Sequence, residues 1–348
     1  MLCFIFIMFF YNCIESSIYM DDNINIREKK AIIIDRKKMF KSEIIRYHID
    51  KSLDSQIIEA VLSYLNKKTC FSFIKTLRED KTDLKFEYGP NFNSSLGKTD
   101  NKTQIITIGA KNPSKVQVFR FVLRQFGMDF EHNRYDRDNY VNVYLKHVKQ
   151  QYFSFFKQKP YYLASTYGIN YDFSSIMHFS KREFTENFRI SLEAKDKLMD
   201  ATMGSSLKPS FNDIKLLNRH YCKHKCKIKL ECFHSAYIDP LNCQNCRCLP
   251  FYTGTHCEKF SPNHYPICQR NNIFMVDNRK RLLALTLYGD CHYIFVARPG
   301  KRVLFKTAES RPKWYPGIGG PEEFIEIRYK SDKSVSNKIL LGGVTHTI

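Results

Sequence analysis

The period of the apolar positions changes several times along the chain, and each change marks an element. Across Glu43–Ile49 apolar and polar residues alternate, the period-two pattern of a half-buried strand. Ser52 then stands where a helix cap is needed, and Ile57, Ile58, Val61, Leu62 and Leu65 fall on one helical face. Gln104–Ile108 reads as another strand, followed by a turn at Lys111-Asn112-Pro113. Helical spacing returns from Ser114 to Phe126 through Val118, Phe119, Val122 and Leu123, and stops at Gly127. Ser210 opens a last helix: Asp213 completes a capping box, and Ile214, Leu216 and Leu217 supply the apolar face. Further on, Tyr293–Val296, Arg302–Phe305 and Phe324–Arg328 are short β-type runs that predict an all-β unit. The chain shows no internal repeat and no low-complexity tract.

Composition adds size and compartment. The 348 residues, 43% hydrophobic and 14% aromatic, allow one large core with small modules beside it and exclude a disordered tail. The opening run MLCFIFIMFFYNCIESS is too short to span a bilayer and reads as a secretory signal over residues 1–17, although no basic residue precedes it. The expected location is therefore extracellular, with no stable membrane insertion. Residues 18–30 form a short leader ending in Arg27-Glu28-Lys29-Lys30. That cluster is either a proprotein-convertase site, making Ala31 the mature N-terminus, or a solvated charge run. Without Cys3 and Cys13 ten of the twelve cysteines remain, crowded toward Cys222–Cys291, as an oxidising compartment permits. Sequons at Asn93 and Asn101 lie close together in a polar stretch and suggest one exposed, glycosylated loop. A net charge of +20 suits an acidic glycan or another anionic partner, and export argues against nucleic acid.

Four separated stretches carry a family resemblance. Gly127-Met128-Asp129-Phe130-Glu131-His132-Asn133-Arg134-Tyr135-Asp136-Arg137-Asp138-Asn139-Tyr140-Val141 resembles the end of the long zinc signature HExxHxxGxxHExxRxDRDxY. Tyr171–Phe179 resembles the Met-turn SxMHY, Leu207–Cys222 the closing helix, and Thr69-Cys70-Phe71-Ser72-Phe73 the start of a large disulfide loop. In this order they resemble the astacin family of zinc metalloendopeptidases, in the multi-module form common in nematodes. The resemblance implies an α+β fold: a two-lobed, metzincin-like domain over residues 31–222, with a sheet and two helices before the cleft and irregular chain after it. It also implies a Cys70–Cys222 bridge, Met177 packed beneath the site, and Glu131 as the structural partner of a buried N-terminal amine. The family's second disulfide is absent, since no cysteine lies between Cys70 and Cys222.

The same alignment empties the catalytic positions. An astacin holds zinc with two histidines one helical turn apart and a third after a glycine turn, and uses an adjacent glutamate as general base. Here the histidine positions hold Arg120, Arg124 and Phe130, the base position holds Phe121, and a further tyrosine ligand is replaced by Phe179. Guanidinium has no free lone pair and stays protonated. At about 4 Å and an effective dielectric near 20 it would repel Zn²⁺ by roughly 8 kcal/mol. No histidine lies between His48 and His132, so no HExxH helix exists in this half of the domain. His132, His147 and His178 are read as ordinary structural or surface histidines, and Arg134, Asp136, Arg137 and Asp138 as an ion-pair network. In the leader, Met20-Asp21-Asp22-Asn23 lacks the phenylalanine and glycine of the F-x-G-D motif with which astacin propeptides often silence the metal. The expectation is no catalytic residue, no metal and no cofactor. Arg120 and Arg124 are paired with nearby acids, face water, or make the old cleft an anion or carboxylate binder.

Beyond the main domain, Cys226, Cys232, Cys243, Cys246, Cys248 and Cys257 over residues 223–258 resemble an EGF-like module. Six cysteines allow fifteen pairings; the resemblance favours first–third, second–fourth and fifth–sixth. A zinc knuckle at Cys243 and Cys246 is the rival reading. Residues 268–348 resemble a short β-sandwich CUB-like domain, with Cys268 and Cys291 as its disulfide. The function expected is that of a secreted pseudoprotease that binds an extracellular protein or acidic glycan. The alternatives are an active zinc-dependent metalloendopeptidase and a basic matrix protein.

Overall fold

The fold is taken from a computed structural model that describes residues 4–9, 31–99, 102–264, 268, 270–279, 281–285, 291–307, 324–336 and 338–340. Four parallel strands form the main sheet, in the order Ser72–Lys75, Ile44–Ile49, Leu84–Tyr88, Gln104–Ile108. The alternation in Ile44–Ile49 does what its period requires: Ile45, Tyr47 and Ile49 point into the core while Ile44 and Arg46 face water. Helix α1 (Ser55–Lys68) buries Ile58, Val61, Leu62 and Leu65, the stripe expected of it. Its N-cap is Asp54, whose side chain accepts from the Gln56 N–H; Ser52 is drawn into a turn with Asp50 instead.

Helix α2 (Lys115–Gln125) starts at a Ser114/Gln117 capping box and stops where Gly127 takes φ +86°, a left-handed conformation. A side chain at Gly127 would also strike Ile33, whose N–H donates to the Gly127 carbonyl. The two helices pack through Tyr64 and Phe119, whose rings meet edge to face at 5.3 Å. From Gly127 to Ser210 the chain is mostly turns, 3₁₀ segments and two- or three-residue strands. Order returns in α3 (Phe211–Tyr221), capped by Ser210 and Asp213 as the sequence predicts. The Cys70–Cys222 bridge, with Cα atoms 5.7 Å apart, ties the end of α3 to the end of α1.

The cysteine-rich segment after α3 is held by Cys226–Cys243, Cys232–Cys246 and Cys248–Cys257, the pairing order the resemblance favours. Those cysteines are consumed in disulfides, so Cys243 and Cys246 offer no thiolate pair to a metal. Cys268 pairs with Cys291. The β-sandwich expected after it is not formed among the described residues. Ile273–Val276 pairs parallel with Ile294–Ala297, and Phe324–Glu326 antiparallel with Lys338–Leu340, as separate two-stranded pieces. Among the described residues of this region Cys268, Val276 and Val335 are buried. The opening apolar run is, over Phe4–Phe9, a strand between Arg281–Leu285 and Leu304–Thr307.

Candidate functional site

Four of the five positions singled out from the family pattern, Arg120, Arg124, Phe130 and Phe179, converge where α2 faces the turn at Met177, and Phe121 follows Arg120 on α2. Helix α2 presents Arg120 and Arg124 one turn apart on the same face. Arg120 donates from Nε to the Ile176 carbonyl at 2.8 Å and from Nη2 to the His178 carbonyl at 2.8 Å. Its Nη1 meets Glu183 Oε1 at 2.7 Å. Arg124 donates to the Ser94 carbonyl at 3.3 Å and to Asp129 Oδ1 at 3.0 Å. Both guanidiniums are thus engaged by this chain's own acceptors, Arg120 through all three nitrogens and Arg124 through Nε and Nη1, which is the pairing with nearby acids considered above.

Aromatic rings fill the remaining space. Phe130 and Phe179 are fully buried with centroids 4.3 Å apart, and Phe155 stands edge-on to Phe130 at 5.5 Å. Arg120 lies over the Phe179 ring at 5.3 Å, and Arg124 over Phe130 at 5.5 Å. Phe121 stacks on Phe92 at 5.5 Å. Met177 is buried beneath this layer, where its carbonyl accepts from the Glu131 N–H at 3.1 Å.

The three histidines left as candidates are bound into the fold. His178 contacts the Phe179 carbonyl at 2.7 Å and the Tyr171 hydroxyl at 2.8 Å; burial pulls its imidazole down to about 4. His132 contacts the Phe155 carbonyl at 3.1 Å and is also held far below the usual histidine range, by burial and then by His178. His147 binds the Ile190 carbonyl at 2.7 Å. Among the described residues no group of three His, Cys, Asp or Glu side chains is placed to hold a metal ion.

Behind the cleft lies the expected ion-pair network. Arg134 is bidentate to Asp136 at 2.9 and 3.0 Å and reaches Glu131 at 2.8 Å. Arg137 caps the His132 carbonyl at 3.0 Å. Burial pushes the Glu131 carboxyl up to about 7, and Glu131 shares a small cavity with Ala31, Thr166, Asp172 and Asp213. Sequence reasoning missed Glu183 and Asp129 as the arginines' partners. Asp129 lies five residues beyond Arg124 and was within reach of inspection; Glu183, sixty-three residues from Arg120, left no local signal. Asn93 is exposed beside Thr107, with which it forms a β-bridge, whereas Asn101 lies outside the described residues.

A parallel sheet backed by two helices, a Met177 turn under the cleft and a disulfide closing the last helix define an α+β domain of metzincin-like build. The family model for the astacin peptidases matches residues 32–222, and the chain belongs to that family. It is 28% identical over 297 residues to zinc metalloproteinase nas-34 of Caenorhabditis elegans, covering 83% of this chain and 48% of that protein. It is 29% identical over 287 residues to zinc metalloproteinase nas-23 of the same organism, covering 80% of this chain and 53% of that one. The chain thus spans about half the length of the curated relatives it matches. Among solved structures it is similar to high choriolytic enzyme 1, a hatching enzyme zinc-protease from Oryzias latipes. That likeness has TM-score 0.47 and 22% identity, over 53% of this chain and 92% of that one.

These relatives correct the expectation of no cofactor: they are zinc metalloproteinases, so zinc is the cofactor that membership of the family implies. The residues at the family's ligand positions do not fit the ion. Arg120 and Arg124 offer cations already bonded to Glu183 and Asp129, and Phe130 and Phe179 offer hydrocarbon in mutual contact. Among the described residues no helix is long and apolar enough to cross a membrane, and the five disulfides suit an oxidising compartment.

Proposed function

We propose that this chain is a secreted astacin-family protein that does not hydrolyse peptide bonds and acts by binding an extracellular protein or acidic glycan. The observation that carries this reading is Phe121. At the position where the family's glutamate activates water, it has no carboxylate and stacks on Phe92 at 5.5 Å. Without a carboxylate at that position, the family's route for taking the proton from the attacking water is missing. The packed rings of Phe130, Phe155 and Phe179 further support it, since they put hydrocarbon in mutual contact at two of the family's ligand positions. Residues 223–258 are read as an EGF-like binding module, a reading supported by the crossed Cys226–Cys243 and Cys232–Cys246 disulfides followed by Cys248–Cys257.

Full-length protein purified from the medium of secreting cells should leave casein and gelatin uncut, with no difference on adding 1,10-phenanthroline. Cleavage that the chelator abolishes and that serine- and cysteine-protease inhibitors spare would overturn the proposal and restore the active-metalloendopeptidase reading.

A further inference from the structure

The surface around the Cys70–Cys222 bridge carries a concentration of cations, most of them without a counter-charge among the described residues. Helix α1 ends in Lys67 and Lys68, both exposed. The bridge then delivers the chain to Lys223, His224, Lys225, Lys227 and Lys229, all exposed, with no acidic residue from 223 to 230. Given Cα atoms 5.7 Å apart across the bridge, the backbones of Lys68 and Lys223 are no more than about 17 Å apart. Two neighbouring carboxylates are already engaged. Glu43 takes His224 at 2.9 Å and Lys225, and Asp239 takes Arg247 at 2.9 Å. Lys67, Lys68, Lys223, Lys227 and Lys229 have no ion-pair partner among the described residues.

The array is also held in place. The Lys68 carbonyl accepts from Asn218 of α3 at 2.9 Å and from Arg247 of the cysteine-rich segment at 2.6 Å. Cys222 is tied to Cys70, Cys226 to Cys243, and the Lys225 N–H returns to the Cys222 carbonyl at 3.0 Å, so the lysine run is pinned on both sides. Elsewhere on the domain several lysines sit on acids: Lys75 on Glu59, Lys85 on Glu79, Lys181 on Asp200. A dense set of unpaired cations costs folding through self-repulsion, and that cost is relieved when a polyanion lies across it.

We infer that this surface, built jointly by the end of α1, the Cys70–Cys222 bridge and residues 223–229, is a binding site for a sulfated polysaccharide. It deepens the binding reading given above by fixing the partner's chemistry and its place. An extended chain of sulfates and carboxylates matches several fixed ammonium groups at once. Each exposed contact is weak and screened by salt, and affinity comes from their number. Compact, strongly hydrated lysine ammoniums suit sulfate, which asks for charge without the bidentate geometry of arginine.

The test uses full-length protein and immobilised heparin as the probe. Wild type is expected to bind with an affinity that falls steeply between about 50 and 300 mM salt. Lys223→Gln/Lys227→Gln/Lys229→Gln should weaken binding at least about tenfold. Lys146→Gln/Lys149→Gln/Lys157→Gln, which removes the same charge from exposed positions elsewhere, should leave it within about twofold. Unchanged circular dichroism and melting temperature in both variants confirm intact folding. Chemically desulfated heparin should not compete. Equal losses in the two variants would overturn the site, because overall charge alone would then account for binding. Binding of duplex DNA or phosphatidylserine vesicles as tight as that of heparin would overturn the sulfated-glycan assignment. Absence of heparin binding would overturn it outright, while the casein and gelatin assays would still stand or fall separately.

Discussion

Arg120 shows how a single residue type redirects a site. Its guanidinium spans three acceptors that belong to the chain 56 to 63 residues later, and so fastens α2 to the Met177 turn. Arg120→Ala would strip the Ile176 and His178 carbonyls and leave Glu183 without its cation. Urea unfolding should show a loss of about 3–5 kcal/mol, the usual result of breaking one side of a buried pair, with Arg120→Lys recovering only part. A loss under about 1 kcal/mol would show that the contacts are incidental. Lys215 offers a second test. It is buried, donates to the Ser235 carbonyl at 2.6 Å, and faces Arg219 and Asp332. Burial holds its ammonium down to about 8. Between that value and the unfolded value of about 10.4, only the unfolded chain keeps the proton, so stability attributable to Lys215 rises with pH across the window and is lost as pH falls through about 8. Lys215→Met should therefore be more stable than wild type at about pH 7, by about 1–2 kcal/mol, and the gap should shrink toward about pH 10. A constant gap would mean the side chain is not desolvated.

Among the elements, α3 and the bridge at its end concentrate the most determinants. Ser210 accepts from the Asp213 N–H at 3.1 Å and donates to Asp172 at 2.8 Å, while Asp213 holds Ser175 and the Ile176 N–H from across the cleft. Ser210→Ala should cost about 1–2 kcal/mol in thermal unfolding, and Ser210→Thr less. The Cys70–Cys222 bridge spans 152 residues. In the chain-entropy model its removal by Cys70→Ser/Cys222→Ser lowers stability by about 5 kcal/mol. A thiol titration showing two free cysteines in the native wild type would contradict the bridge itself. Elements are legible in sequence where the pattern is local. Helices α2 and α3 begin at the residues their capping boxes mark, because a capping box is a contact between residues three apart. For α1 the sequence points to Ser52 and the structure to Asp54, because the two are equally good caps on paper. Asp50 resolves the choice by accepting the Ser52 hydroxyl at 2.8 Å, which leaves Asp54 to cap.

At the scale of the whole molecule, Ala31 meets the ion-pair network at Glu131, since both line one buried cavity. A leader cut after Lys30 would create an ammonium there, and Glu131, raised to about 7 by burial, is the group placed to receive it. The secreted protein is expected to begin at Ala31 in N-terminal sequencing. Glu131→Gln should then lower the melting temperature of the cut form by more than that of a Lys29→Ala/Lys30→Ala form that stays uncut. Equal effects would show that Glu131 serves Arg134 alone.

By itself the sequence carried the family resemblance, the three helices and two of the four main strands, and, through that resemblance, the Cys70–Cys222 pairing and the residues aligned with the catalytic positions. Motif spacing and side-chain chemistry are local properties: no fold turns a phenylalanine into a base or a guanidinium into a lone-pair donor. Only the tertiary structure decided what the substituted residues do instead. The pairing of Arg120 with Glu183 and the closing of Phe130 on Phe179 join residues far apart in the chain. Such contacts are fixed by packing rather than by any periodicity, and so they could not be read from the order of the residues alone.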